Sequence, residues 1–466
     1  MFGNNVSNKV ITDSHKYKDP ADGARLFDSG GRNVQQLQLG KIVSDLRSDV
    51  EFHEVVNLLL HTNSLTITQS LYAPSMTMII RVADTVGMFE RIGTKGLQGE
   101  EFVKLKLLSE GRTDIKEGIE LLFHVSHITD VEVSEGSVGG VFDMICITKE
   151  KIINDMGVVN QFFSGSESSI VENIFKNKIV GHQKYKFLKQ AGPQVWSERE
   201  IFVDKSIGTE DVIVPGLQPF NAMQWLARRA YGGPSYPGSF FTFFETSKGY
   251  HFANIEKMIE RNSKSGPYFT HEPMANEAVA MDAAFYRNIK RFDGFKLPST
   301  GMRMNNGTFS HKVRKIDIVK KNHTDTSFRL DDGFNKFTNV GQEFNQSKEF
   351  FKHFGNEQPF EYLTTKDSTA ENDHIEDIIG KKNAYQDLLS TFTTTIVVYG
   401  DSNLNVGDVI LIDLPETAAG EDKADSIYSG DWFVSAVTHS IDAERMNTTL
   451  EITKSGLKKI HTNSPR

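Results

Sequence analysis

Two histidines three positions apart, His124 and His127, come closer to a metal-binding spacing than any other pair in this 466-residue sequence. They lie in the alternating run 123–134 (FHVSHITDVEVS). On a strand, positions i and i+3 point to opposite faces, so one ion would not reach both rings. The pair therefore reads as ordinary strand histidines. The single cysteine, Cys146, sits between Ile145 and Ile147 and reads as a small buried residue rather than a nucleophile. One cysteine also excludes an internal disulfide and any CxxC metal or redox site. Asp331-Asp332-Gly333 is a turn signal. The 61 acidic residues single out no acid–base pair. The sequence contains no phosphate loop, HExxH, EF-hand loop or G-x-S-x-G elbow, and Gly93, Gly96 and Gly99 lack the dinucleotide spacing. No catalytic, metal-ligating or cofactor-binding residue is expected, and no cofactor. A binding or structural role is expected instead.

Charge is the next source of candidates. The formal net charge is −9, from 52 Lys and Arg against 61 Asp and Glu, which argues against a whole-chain nucleic-acid binder. That total conceals segregation. Residues 285–321 carry +8 and include Arg303, Lys312, Arg314 and Lys315; residues 401–445 carry −8 and include Asp401, Asp408 and Asp413. Charge runs usually face water. The sharper expectation is that these seven residues mark assembly contacts or a channel wall, with the two patches meeting within one chain or between subunits.

These residues sit on β-rich elements. Residues 64–70 and 76–84 alternate with period two around a break at Tyr72-Ala73-Pro74, as antiparallel neighbours do. Residues 101–107 form a further strand, and 123–134 with 141–148 form a long hairpin around a glycine-rich loop. Helices are expected at 168–179, capped by Ser168-Ser169; at 219–230, with Pro219 in its first turn and Gly232-Gly233 stopping it; and at 255–260, 275–292, 342–354 and 375–389. A hairpin spans 240–252. Strands return at 393–399, 409–414, 430–440 and 448–453.

The expected fold class is mainly β with helical insertions (α+β). The expected organisation is an extended arm at 1–40, a first β-barrel or sandwich domain at 41–155, and a helical linking domain at 156–235. A second, discontinuous β domain follows at 236–295 and 385–456, interrupted by a polar insertion at 296–384, with a tail at 457–466. No apolar run is long enough to span a bilayer and the N-terminus is polar throughout, so a soluble protein of a reducing compartment is expected.

Three segments, in order, resemble the baseplate hub proteins of contractile-tailed bacteriophages, the T-even-type hub subunit family. The first is residues 64–107, with Asp84, Met88-Phe89 and Gly99-Glu100 at the marked places. The second is residues 214–233 followed by the aromatic hairpin FFTFFETSKGYHF. The third is the C-terminal VGDVILIDLP, SGDWFVSAVTHSID and NTTLEITKSGL. The resemblance implies two tail-tube-like β domains per subunit and a homotrimeric ring that mimics a hexamer. Such a ring adapts a hexameric tail tube above to a trimeric central spike or tail lysozyme below, beside other baseplate proteins. It implies a structural virion protein made in the host cytoplasm, not an enzyme, with no membrane insertion. DNA would pass through without stable binding, along a neutral to acidic wall. A tail-tube initiator, a spike-type protein and a tail-associated peptidoglycan hydrolase are the competing readings.

Overall fold

The computed structural model describes residues 34–44, 50–84, 97–99, 101–109, 118–133, 140–183, 185, 199–262, 268–270, 287–341, 348–355, 361–365, 374–414, 428–442 and 445–457. The leader at Met88-Phe89, Gly93 and Gly96, Glu100, the glycine-rich loop at 135–139, most of the expected helix at 275–292, the start of that at 342–354 and the tail at 458–466 lie outside them. So do residues 1–33 of the expected arm.

The alternating runs form strands where the period predicts. β1 (Val34–Ser44), β2 (Val50–Asn57), β3 (Thr62–Ser70), β4 (Thr77–Asp84), β5 (Phe102–Leu107), β6 (Ile119–Val133) and β7 (Gly140–Thr148) form one antiparallel series. Helix α1 (Lys149–Met156) follows directly. Next come β8 (Phe162–Gly165), α2 (Glu167–Ile174) continuing as one wider turn to Val180, β9 (Ile201–Val203), β10 (Glu210–Ile213) and α3 (Pro219–Arg229). The aromatic hairpin is β11 (Phe241–Thr246) and β12 (Gly249–Asn254), followed by α4 (Ile255–Asn262), β13 (Tyr268–Thr270) and β14 (Ile289–Phe292). After α5 (Thr300–Asn305) come β15 (Ser310–Asp317), β16 (Asn322–Arg329), β17 (Glu361–Thr365) and α6 (Ile375–Leu389). The chain closes with β18 (Phe392–Tyr399), β19 (Val409–Asp413), β20 (Gly430–Asp442) and β21 (Met446–Lys454).

The central feature is a 13-stranded sheet. Its path is β14-β18-β21-β20-β3-β4-β7-β6-β5-β1-β2, with β19 pairing β20 and β13 pairing β19. The early and late β regions are thus joined edge to edge: β3 and β20 pair from Ala436 opposite Ser70 to Asp442 opposite Ser64. The chain is mainly β, as expected.

Three buried clusters lie against this framework. One packs Leu65, Ile67, Met78, Ile80 and Val82 against Leu37, Leu39, Val103, Leu105, Phe123, Phe142 and Met144. A second combines the late strands with α4, α6 and the small β15–β17 sheet around Trp432, Phe244 and Tyr385. The third packs α2 and α3 onto Phe241, Phe243, Tyr250 and Phe252. The hairpin therefore buries one face in each of two cores, which explains why every residue of β11 is buried.

Several expectations are corrected. Residues 34–40, assigned to an arm, are strand, because β1 pairs both β2 and β5. The 156–235 stretch, read as helical, also contains β8, β9 and β10; β9 pairs β12 in parallel, so the hairpin's own sheet is completed from this stretch. Residues 289–292, read as the end of a helix, are a strand against β18: a four-residue run suits either period, and the neighbouring edge decides. The polar insertion, for which one helix at 342–354 and no strand was named, holds a three-stranded sheet with β15 central. β16 (NHTDTSFR) is largely exposed and shows no apolar alternation, so the period-two signal is absent. The cap of α2 is Ser166, whose hydroxyl accepts from Ser169 N at 3.3 Å, whereas Ser168 is turned to Ser206. Asp331-Asp332-Gly333 lies in a single helical turn, Leu330–Gly333. Finally, a bulge between Val125 and His127 sets His124 opposite Ile147 and His127 opposite Ile145. The two histidines therefore share a parity after all. His124 packs edge-on to Phe102, while His127 is exposed beside Ser126.

Two glycines mark tight packing. Gly407 has φ +90°, and a Cβ there would overlap the Met258 sulfur. Within α6, a Cβ on Gly380 would overlap the His311 ring, which seats the helix on β15.

Candidate functional surface

Strand alternation gives the long sheet two faces, and burial separates them. One face holds the apolar cores. The other is covered at β5 and β6, where Phe102 and Leu122 enter the third cluster, but is open where the two halves join, and there it is lined by small hydroxyl side chains. Val397, Thr449, Thr438, Thr68, Thr77 and Ile147 stand opposite one another across six strands. The adjacent row is Tyr399, Asn447, Ser440, Thr66, Ile79 and Ile145. All are half-buried or exposed. The Thr68 and Thr438 hydroxyls lie 3.5 Å apart across the seam.

Charges on this face are engaged locally. Arg81 lies 3.6 Å from Asp143 and 3.8 Å from Glu132. Glu451 accepts from the Ser435 hydroxyl at 2.8 Å, where Ser435 is the bulged residue of β20. Lys290 donates to Asn447 at 2.6 Å and lies 3.9 Å from the Tyr399 ring centre. Burial, helped by Arg445 and opposed by Asp442, brings its ammonium down to about 8. The face thus offers hydroxyls and compensated charges, a surface that hydrates well and grips polyanions poorly.

The seven residues proposed from charge segregation lie elsewhere. Asp401 is 3% exposed; its carboxylate accepts from Asn403 N at 2.9 Å, and its own N–H donates to the Thr448 hydroxyl at 3.0 Å. Asp408 closes the same turn by accepting from Asn405 N at 2.8 Å, and burial raises it to about 6. Asp413 ends β19, half-buried, in register with Thr270. Arg303 is 3% exposed, donates to Thr391 Oγ1 at 2.9 Å and Asp387 O at 3.1 Å, and lies over Phe309. Lys312 and Arg314 flank Asp325 at 2.7 and 2.9 Å, Arg314 also reaches Glu361 at 3.2 Å, and Lys315 meets Glu376 at 2.8 Å. Around Lys312, Arg314 and Lys315 the acidic partners come from residues 325–376, while the acidic neighbour of Arg303 is Asp387. Asp401, Asp408 and Asp413 are not among them.

The sequence reading missed a buried ionic junction. On β11, Phe241, Phe243 and Glu245 alternate; the two rings enter the helical core, and the carboxylate reaches the first β region. Glu245 Oε2 accepts from Met76 N at 2.9 Å and Thr148 Oγ1 at 3.0 Å, and Oε1 from Arg199 at 3.2 Å. Arg199 also donates to Ser247 O and Thr246 O. Lys149 and Glu150 lie 3.7 Å apart nearby. Burial pushes Glu245 up, opposed by Arg199 and reinforced by Glu150, and brings Lys149 down to about 8. An acidic residue closing the otherwise aromatic run FFTFFE was the available signal. The arrangement clamps β4, β7, β11 and the 199 segment together.

No protein-family model matches the chain, and no curated protein matches it. Among solved structures it is similar to the tail protein from Neisseria meningitidis MC58, at 10% identity over 90% of this chain and 96% of that one, with a TM-score of 0.48. It is similar to the 43 kDa tail protein of prophage MuSo2 from Shewanella oneidensis, at 8% identity over 90% and 98% of the two chains, with a TM-score of 0.48. It is also similar to the E. coli c3393 protein, a type VI secretion component described as structurally similar to the T4 bacteriophage tail proteins gp27 and gp5, at 10% identity over 84% and 73%, with a TM-score of 0.39. The solved structures that this chain resembles thus include proteins described as tail proteins.

Proposed function

We propose that the chain is a structural subunit of a phage-type tail, acting as its baseplate hub. Three copies close a ring, with the hydroxyl-lined face of the long sheet turned to the lumen. The observation that carries this reading is the pairing of β3 with β20. It makes the two β regions of one chain a single wide wall segment, so three chains supply six β units around a channel. The path ends at β2 and β14, and a sheet with two end strands is completed by pairing or covering them. The order of the hub-like segments supports the same assignment. The ring would seat a hexameric tube on one side and a trimeric spike on the other, and pass DNA along a wall without a free cationic track.

The mass of the purified assembly tests this. Light scattering is expected to give three chains per particle, alone or with the spike component. A six-chain ring would favour a tube initiator. A monomer that binds neither tube nor spike removes the hub assignment, and clearing of a cell-wall suspension by the pure protein would establish the hydrolase alternative.

A further inference from the structure

A cleft of about 540 Å³ opens between α3, α6 and the start of β11; Tyr72, just after β3, and Phe243, two residues from Glu245, join its lining. Its walls are apolar, formed by Tyr72, Phe241, Phe243 and Ile379. Lys382 lines it and is only 8% exposed. The Lys382 ammonium donates to Ala227 O at 2.8 Å, the carbonyl one residue short of Arg228. Arg228, exposed, lies at the rim.

Among the described residues Lys382 has no acidic counterpart. No acidic side chain lines the cleft among the described residues. The acids of the first turn of α6 are engaged elsewhere: Asp377 with Lys381 at 2.6 Å and Glu376 with Lys315 at 2.8 Å. β11 contributes no titratable group to the cleft, α3 adds a second cation, and the turn after β3 adds the Tyr72 phenol. A buried charge without a counter-ion is costly, and a cleft that exposes it to one kind of visitor lets that visitor relieve the cost. The visitor must bring an anion and apolar surface together. The remaining lining, Gln224, Asn383 and Gln386, supplies amide donors and acceptors that match a peptide backbone. Tyr72, 55% exposed, offers an aromatic ring at the mouth of the cleft.

We propose that this cleft is a docking site for a segment of a partner protein that presents a carboxylate beside an apolar side chain, with Lys382 as its counter-ion and Arg228 at the entrance. The cleft meets the open face at Tyr72, whose phenol is raised by burial and by Glu451, so an occupant would attach beside the proposed ring wall.

The test uses the full chain, its variants Lys382→Met and Arg228→Gln, and three probes: N-acetyl-glycyl-glycyl-phenylalanine with a free carboxylate, its C-terminal amide, and phenylacetate. The free acid is expected to bind about tenfold more tightly than the amide and than phenylacetate, since only it combines the charge with the backbone. Lys382→Met is expected to abolish the preference for acid over amide, and Arg228→Gln to reduce it. Burial and Arg228 bring Lys382 down to about 7, so binding of the acid at pH 8 is expected to take up a proton, read by calorimetry in buffers of different ionisation enthalpy. Proton uptake by the wild-type chain and the exposed Arg228 variant decide the matter even if Lys382→Met does not fold. Equal binding of acid and amide, no proton uptake, or a preference unchanged in the variants overturns the proposal. Phenylacetate binding as tightly as the peptide overturns the protein-segment assignment.

Discussion

Along the open face of the long sheet, Thr68, Thr438, Thr449 and Ser440 present hydroxyls to solvent, and the few charges are matched on the spot. Beneath the β11–β12 hairpin the arrangement is reversed: Arg199, Glu245, Lys149 and Glu150 are each withdrawn almost completely from water. Charge is thus sparse along this face and concentrated at the junction. The physical reason lies in the dielectric. A charge pair at the surface contributes little, whereas a buried pair is costly to make and costlier to break, so it fixes one arrangement of the parts around it. The open face needs no such fixation, because the β3–β20 ladder already holds its two halves.

The largest effect expected from this contrast is at the junction. Glu245→Ala leaves Arg199 buried without its counter-ion and frees the Met76 N–H and Thr148 hydroxyl, and should lower stability by about 3–5 kcal/mol in denaturant titration. A loss under about 1 kcal/mol would mean that the junction is not a clamp.

A second effect belongs to the buried side of the same seam. His439, on β20, is fully buried with one ring nitrogen on the Thr448 hydroxyl at 3.1 Å, and burial brings its imidazole down to about 4. Its folded value lies below the ordinary 6.5. The unfolded chain therefore binds the extra proton between these values, and the stability His439 contributes is complete above about pH 6.5 and lost as pH falls towards 4. The drop is roughly 3 kcal/mol for this group. His439→Gln should flatten that limb of the stability curve, measured by urea titration from pH 7 to 4. Glu256 works in the opposite sense: burial raises it to about 7, so its contribution is full below about pH 4.5 and fades as pH rises through 7. An unchanged acid limb in the His439 variant would assign the loss to other groups, of which His251, also brought down to about 4 mainly by burial, is the first.

The smallest effect on stability is expected on the open face. Thr68→Lys with Thr438→Lys should lower it by about 1 kcal/mol or less, the cost of two like charges set opposite each other across the seam. If this face lines a channel, the same change should make assembled particles retain duplex DNA at low salt and release it as salt rises. Duplex retention that does not respond to these lysines would place the lumen on another surface.

Much of the local structure was readable in advance: β3 and β4 from period two, β7 and β11 as arms of hairpins, β18 as a returning strand, α3 from its apolar face behind Pro219, and α6 as a helix. β1 escaped although Leu37 and Leu39 alternate with Gln36 and Gln38, because so short a run stood in a polar N-terminal stretch; the other elements that escaped lack that local signal. β16 is polar on both faces, β9 and β14 are three and four residues long, and the bulge at Ser126 adds one residue that no alternation reveals. The candidate surface divides in the same way. Its threonines and serines were visible as the polar half of each alternating run, but alternation names two faces without saying which one a core will cover.

What the linear order of residues decided, then, is which segments extend, which coil, and that charge is unevenly distributed along the chain. What only the folded chain decided is the pairing of Thr68 with Thr438 across 370 residues of sequence, the internal neutralisation of Lys312, Arg314 and Lys315 by Asp325, Glu361 and Glu376, and the isolation of Lys382 in its cleft. Propensity and periodicity act over a few residues. The fate of a charge or a strand edge depends on what the rest of the chain brings beside it.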